Sequence, residues 1–264
     1  MTKSFMKNLF YIASLVIIAA SVCVSDSEAA SIARSKHDFS VSNATGTGTP
    51  FAGQFQVGPA GQWGATIDEI CVFCHTPHGA SQDSQTNTLL WNRVSSPPAG
   101  YSYKPYTASS STTVAPDTGD GRPTGISMMC MSCHDGVTSI AVGTLLNAPG
   151  AGNPEVSLDP YSSITLPGSI SDGGGFGAFG ANIGNATSGG GTIDLSNDHP
   201  ISFEWIAGKP GYFNEPTRSE LRLFGATGRR IECATCHSVH NPSIVPFLAM
   251  SNSNSDMCRA CHDK

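Results

Sequence analysis

The chain has 264 residues, 29 of them Gly and 17 Pro, with 39% hydrophobic and 13% charged positions. That is little apolar material for a self-sufficient core, yet too little charge for the self-repulsion that holds polar chains open, so something besides side chains must supply the interior. A formal net charge of -6 without any basic run excludes a nucleic-acid-binding protein.

Lys3 and Lys7 precede an apolar stretch from Leu9 to Val24, broken by Ser14 and Ser21, and small residues follow as far as Ala29 and Ala30. This is the pattern of an export signal. Residues 1–30 are therefore expected to be a signal peptide that is removed, leaving 31–264 as a single unit with no membrane span. The apolar stretch falls short of the roughly 20 residues that a spanning helix needs, which disfavours an uncleaved anchor. Cys23 resembles a lipoprotein cysteine, but Val22 is a poor fit to the small residue such a site wants, so Cys23 is expected to leave with the signal. Asn43-Ala44-Thr45 and Asn185-Ala186-Thr187 match the N-glycosylation pattern, a weak signal in an exported chain of this kind.

The mature part carries Cys-x-x-Cys-His four times: Cys71/Cys74/His75, Cys130/Cys133/His134, Cys233/Cys236/His237 and Cys258/Cys261/His262. Each is the attachment signature of a c-type haem. The two thiols add across the porphyrin vinyl groups, and the histidine that follows is held where it meets the iron. The four copies use eight of the nine cysteines, so no disulfide is left to build. Four c-type haems are predicted, bound through Cys71, Cys74, Cys130, Cys133, Cys233, Cys236, Cys258 and Cys261, with His75, His134, His237 and His262 as proximal iron ligands. A zinc reading of the cysteine pairs leaves the four adjacent histidines unexplained.

Between the motifs, regular elements are scarce. Ser81 to Pro123 is rich in Ser, Thr and Pro, with a cluster at Tyr101, Tyr103 and Tyr106, and Leu145 to Asn197 contains Gly173-Gly174-Gly175 and Gly189-Gly190-Gly191. Both stretches predict coil, wrapping and insulating the haems. The tyrosines are expected to pack on haem, with subunit contact as the alternative. Short helical turns are predicted at the motifs and from Thr217 to Leu223, where helix formers gather. The fold class that follows is mostly irregular coil with short helices and few strands, packed around its haems as a multihaem cytochrome c.

Eight histidines are present, and the four outside the motifs are His37, His78, His199 and His240. One remains for each distal axial position, which predicts bis-histidine ligation throughout. Methionine is the competing sixth ligand, offered by Met128, Met129 and Met131 beside the second motif and by Met250 and Met257 beside the fourth. Spacing restricts the pairing. His78 lies three residues after His75 and His240 three after His237, and three residues reach at most roughly 10 Å. That is too short to round the ring and return to the opposite face of the same iron, so His78 and His240 must each serve another haem than the one beside them. Ligand sharing of this kind draws haems into neighbouring pairs, and a full set of ligands leaves no open position for catalysis.

The order of the motifs and their companions resembles a known family. Ser35-Lys36-His37-Asp38 comes first, followed by Cys71-Val72-Phe73-Cys74-His75-Thr76-Pro77-His78 and Cys130-Met131-Ser132-Cys133-His134-Asp135-Gly136. Asn197-Asp198-His199-Pro200, Cys233-Ala234-Thr235-Cys236-His237-Ser238-Val239-His240-Asn241 and the terminal Cys258-Arg259-Ala260-Cys261-His262 complete the set. Together they resemble the tetrahaem outer-surface cytochromes, E type, that polymerise into extracellular filaments. The resemblance covers the motifs and the spare histidines, not the long loops. It implies His37, His78, His199 and His240 as distal ligands, haems stacked in one continuous chain, and a homopolymer in which one axial histidine comes from the neighbouring subunit, best assigned to His78. The expected function is extracellular electron transfer to external acceptors from the outer cell surface, reached through the periplasm. A monomeric periplasmic shuttle is the alternative, and an enzyme with an open or methionine-ligated haem is disfavoured.

Overall fold

Glycine, proline and serine interrupt the chain too often for long elements, and the computed structural model accordingly shows short ones. It describes residues 32–38, 40, 56–57, 65–66, 69–83, 89–93, 101–106, 121–135, 144–147, 156–157, 183 and 191–263. Residues 1–30, expected to be a signal peptide, with Cys23, and both Asn-x-Thr sites at Asn43 and Asn185, lie outside the described residues. Among the described residues no helix is long and apolar enough to cross a membrane.

The longest helix, Gly125–His134, carries the second motif. Thr124 stands at its start in an extended conformation but does not cap it with its hydroxyl, which is turned to Glu232 instead. Met128, Met129 and Met131 are buried on this helix. Shorter turns carry the other motifs: a 3-10 helix Ile70–Phe73, a helical turn Cys233–Cys236, and Ser253–Ser255 leading into Asp256–Arg259.

Among the described residues, eight short strands pair into two-stranded ribbons. β1 (Gln56–Val57) runs antiparallel to β2 (Ala65–Thr66). β3 (Tyr101–Lys104) runs parallel to β6 (Gly191–Asp194), with Tyr103 opposite Ile193. β4 (Thr144–Leu145) is antiparallel to β5 (Val156–Ser157), and β7 (Phe203–Glu204) to β8 (Arg230–Ile231). Isolated two-stranded ribbons are marginal in water and must pack on something else. The β3–β6 ribbon packs on the Gly125–His134 helix, where Tyr103, Ile193, Leu195, Met128 and Met131 form one buried cluster. Lys104 Nζ bonds Asp194 Oδ2 across the ribbon at 2.8 Å and, with Ser196, holds that carboxyl down at about 2.

Two expectations change here. The stretches 81–123 and 145–197, read as coil, supply β3 and β6 and meet in a parallel ribbon, because Tyr103 and Ile193 find a common apolar surface that neither stretch displays alone. The segment from Thr217 to Leu223 consists of turns and bends, not helix. The Thr217 amide donates to the Ala260 carbonyl at 2.8 Å and Leu221 to Arg218 at 3.2 Å, so the segment is tied to its neighbour before a helical nucleus can propagate. A second buried cluster sits beside it, Leu221, Met257 and Ala260, with Cys236, Leu248 and Cys261 packed against it.

Asn92 is completely buried and joins the first motif to the 144–147 segment. Its Nδ2 donates to the carbonyls of Val72 (2.7 Å) and Asn147 (2.9 Å), and its Oδ1 accepts from the Asn147 amide at 2.8 Å. Asn92→Ala strands those three buried groups, and a stability loss of about 2–4 kcal/mol is expected. A urea unfolding midpoint equal to that of the unsubstituted protein would count against this role.

Candidate metal centres

Cys-x-x-Cys-His places its three reactive side chains at i, i+3 and i+4, which in a helical turn share one face. The structure folds the motifs that way. The His75 amide donates to the Cys71 carbonyl at 2.8 Å, His237 to Cys233 at 3.0 Å and His262 to Cys258 at 2.9 Å, while Cys130, Cys133 and His134 lie within the long helix. All eight described cysteines are free thiols.

Three of the four motif histidines stand opposite a histidine from outside the motifs. Ring centroids are 6.0 Å apart for His37 and His134, 6.3 Å for His75 and His240, and 6.4 Å for His199 and His262. Two imidazoles bound from opposite sides to one metal, each with a bond of about 2 Å and a ring centre about 1.1 Å further out, have centroids about 6.3 Å apart. His78 and His237 remain, and neither has another histidine ring at this spacing among the described residues. His78 is exposed on a turn that side chains hold rigid: its carbonyl accepts from Thr76 Oγ1 at 2.8 Å and Asn147 Nδ2 at 2.7 Å. Gly79 closes that turn at φ +68°, a conformation that favours glycine.

The rings are prepared for coordination. Nδ1 of His75 faces the Leu89 carbonyl at 2.7 Å, that of His199 the Pro200 carbonyl at 2.9 Å, and that of His237 the Pro246 carbonyl at 3.1 Å. A carbonyl only accepts, so Nδ1 carries the proton in each and Nε2 keeps its lone pair for a metal. Burial, reinforced by His134 and His237, pushes the His37 imidazole down to about 4 and keeps it neutral. Its Nδ1 is buried without a protein partner, and Phe247 packs on the ring at 4.5 Å.

The surroundings fit a large apolar cofactor. Leu89, Leu90, Val239 and Val245 are exposed large hydrophobics, Val245 at 78%; Val239 and Val245 flank His240 in the chain, and the Leu89 carbonyl meets His75 Nδ1. Paired imidazoles are what remains for protein to supply when a macrocycle fills four positions. A haem would fit these residues, with the eight motif cysteines as thioether donors and the histidine pairs as axial ligands.

Neighbouring motifs also touch. The Cys130 and Cys233 thiols lie close enough to influence each other, which brings the second motif next to the third. Burial pushes the Cys74 thiol up to about 12, reinforced by Cys133 of the second motif; burial likewise raises Cys236 to about 11, reinforced by Cys261 of the fourth. Trp91 stands edge-on to His75 at 5.8 Å and donates from Nε1 to Ser132 Oγ at 3.2 Å, a further tie between the first two motifs.

The methionines have other occupations. Met128 and Met131 sit in the cluster with Tyr103, and Met257 packs with Leu221. Tyr103 itself is buried against that cluster. Sequence reading missed Glu232, a buried carboxyl whose pKa burial pushes up against the hydrogen bonds of Ser127, Thr124 and Ser202 and the charge of Arg230. The signal available was only a lone acid placed immediately before a motif.

Ring planes cross at 82° and 81° in the His37/His134 and His199/His262 pairs and at 29° in the His75/His240 pair. Near-perpendicular axial planes leave two iron d orbitals almost degenerate and give a low-spin resonance with a large maximum g value, whereas near-parallel planes give the rhombic type. His240→Ala is expected to remove one rhombic signal, add one high-spin signal and spare the large-g signals. Loss from the large-g class in frozen-solution electron paramagnetic resonance would break the pairing. Met131→Leu is expected to leave the visible haem spectrum unchanged, a loss of low-spin bands being the contrary result. No protein-family model matches this chain, and no curated protein matches it either.

Proposed function

We propose that this chain is an electron-transfer protein that holds four covalently attached haems, each iron between two histidines: His75 with His240, His134 with His37, His262 with His199, and His237 with His78. The observation that carries the reading is the 6.0–6.4 Å separation of three motif histidines from three histidines outside the motifs. When bound, haem supplies a reversible one-electron iron couple that moves no heavy atom. The chain's own residues set its use. Two imidazoles occupy both axial positions of each centre, so no substrate can coordinate, and the protein acts as a carrier and not as a reductase. The contacts Cys74 beside Cys133, Cys130 on Cys233 and Cys236 beside Cys261 arrange the motifs in sequence order, which supports a single file of centres.

In the fuller reading the protein is exported, and copies of it assemble into an extracellular filament that carries electrons outward to external acceptors. The residue that favours assembly is His78, exposed on a rigid turn while, among the described residues, no histidine ring stands opposite His237. His78 then completes the His237 centre of a neighbouring subunit.

Electron microscopy of material sheared from expressing cells, with haem measured in the same fraction, tests the assembly. Haem-rich filaments of regular repeat are expected. Haem-containing particles of one-subunit size confined to the periplasm would reduce the protein to a soluble shuttle. His78→Ala is expected to keep all four covalent haems, turn one high-spin and abolish the filaments; normal filaments from that variant would remove His78 from the joint.

A further inference from the structure

Glu232 directly precedes Cys233 and is 2% exposed. A carboxylate taken out of water is strongly destabilising unless it is hydrogen-bonded and paired, and its surroundings meet that demand. Oε1 accepts from Thr124 Oγ1 at 2.9 Å, Oε2 accepts from Ser202 Oγ at 3.0 Å, and the Ser127 hydroxyl lies close by. Each hydroxyl already receives an N–H. Arg230 Nη1 donates to Thr124 Oγ1 at 3.0 Å, the Thr124 amide to Ser202 Oγ at 2.9 Å and the Cys233 amide to Ser127 Oγ at 2.9 Å. Their own protons are thereby directed to the carboxyl oxygens, an arrangement suited to the ionised form.

The network also has a location. Thr124 and Ser127 belong to the start of the helix that carries the second motif, and Glu232 starts the turn that carries the third, where its amide donates to Thr235 Oγ1 at 3.0 Å. One side chain thus fastens the beginnings of both haem-binding helices, next to the point where Cys130 meets Cys233. Neutral side chains can cap a helix at far smaller desolvation cost, so an acid with three converging hydroxyls and a nearby guanidinium exceeds what capping needs.

We propose that Glu232 is a positioning residue that locks the second haem motif against the third and holds a fixed negative charge beside the haem on Cys233, lowering its reduction potential. A buried negative charge favours the oxidised iron, which carries one more positive charge than the reduced, and the effect is strong where water does not screen it. The inference rests on the haem reading above. Thr124, Ser202 and Arg230 are the machinery that keeps the charge in place, and Arg230 offsets part of its field.

The test begins with covalent haem per chain, by mass and by the pyridine haemochrome spectrum. Fewer than four in the unsubstituted protein overturns the haem reading and this proposal together. With four present, a spectroelectrochemical titration of Glu232→Gln is expected to show one centre moved to higher potential with low-spin bands intact, and Glu232→Asp is expected to lie closer to the unsubstituted curve. Superposable curves for the Gln variant, or equal shifts for Gln and Asp, overturn the proposal. Should Glu232→Gln fail to load haem, Arg230→Gln carries the test with the sign reversed: removing the cation moves the same centre to lower potential, and an unmoved centre overturns the assignment.

Discussion

A metal inside a porphyrin has two open faces, and a histidine tied to a thioether cysteine reaches only one of them. Every centre must therefore borrow its second imidazole from elsewhere. On the proposed ligation each centre becomes a tie between remote segments: His37 near the mature start with His134, His75 with His240, His199 with His262. The first two ties overlap along the chain, so the segments interleave and cannot fold one after another as separate beads. Closing long loops costs little more than closing short ones, which lets ligands act across such distances. A chain whose described residues form two small buried clusters and four two-stranded ribbons would then gain its interior from what the ligands hold.

The site was far more legible in the sequence than the scaffold around it. The chemistry is local, since five consecutive residues define a motif and a short count defines the spare histidines. Pairing was only partly legible. The three-residue spacing removes His78 from the centre of His75, but only the folded chain sets His240 opposite His75. Elements made by long-range contact left no local mark. Tyr101–Lys104 and Gly191–Asp194 form a ribbon because each offers one large apolar residue to the same helix, and neither segment has the length or alternation of a recognisable strand. The reverse error, helix at Thr217 to Leu223, came from propensity read without the competing bonds to Ala260.

Glu232 and Asn92 show why buried polar residues are the hardest to find. Asn92 satisfies Val72 and Asn147, and Glu232 collects Thr124, Ser127 and Ser202. Each network is assembled from hydroxyls and amides that are commonplace individually. What distinguishes them is burial, and burial is a property of the fold. In a chain short of hydrophobic residues such networks do much of the fixing that apolar packing does elsewhere, and both lie next to the motifs.

On the proposed ligation, His78 and His237 would give an assembly its logic. A ligand pair completed within one chain stabilises that chain alone. A pair completed between chains makes stability depend on the concentration of partners, and because donor and acceptor are different surfaces the contact is head-to-tail. Such a contact closes into a ring or continues as an open filament, according to the rotation it imposes. With His78 exposed on a turn pinned by Thr76 and Asn147, little backbone freedom would have to be given up on binding, so the joint would be pre-organised on the donor side. On the acceptor side His237 has its proton fixed on the Pro246 carbonyl, leaving its other nitrogen for iron. The joint in such a polymer would itself be a redox centre. No gap between subunits would then be wider than the gaps within them, and conduction and assembly would depend on the same pair of imidazoles.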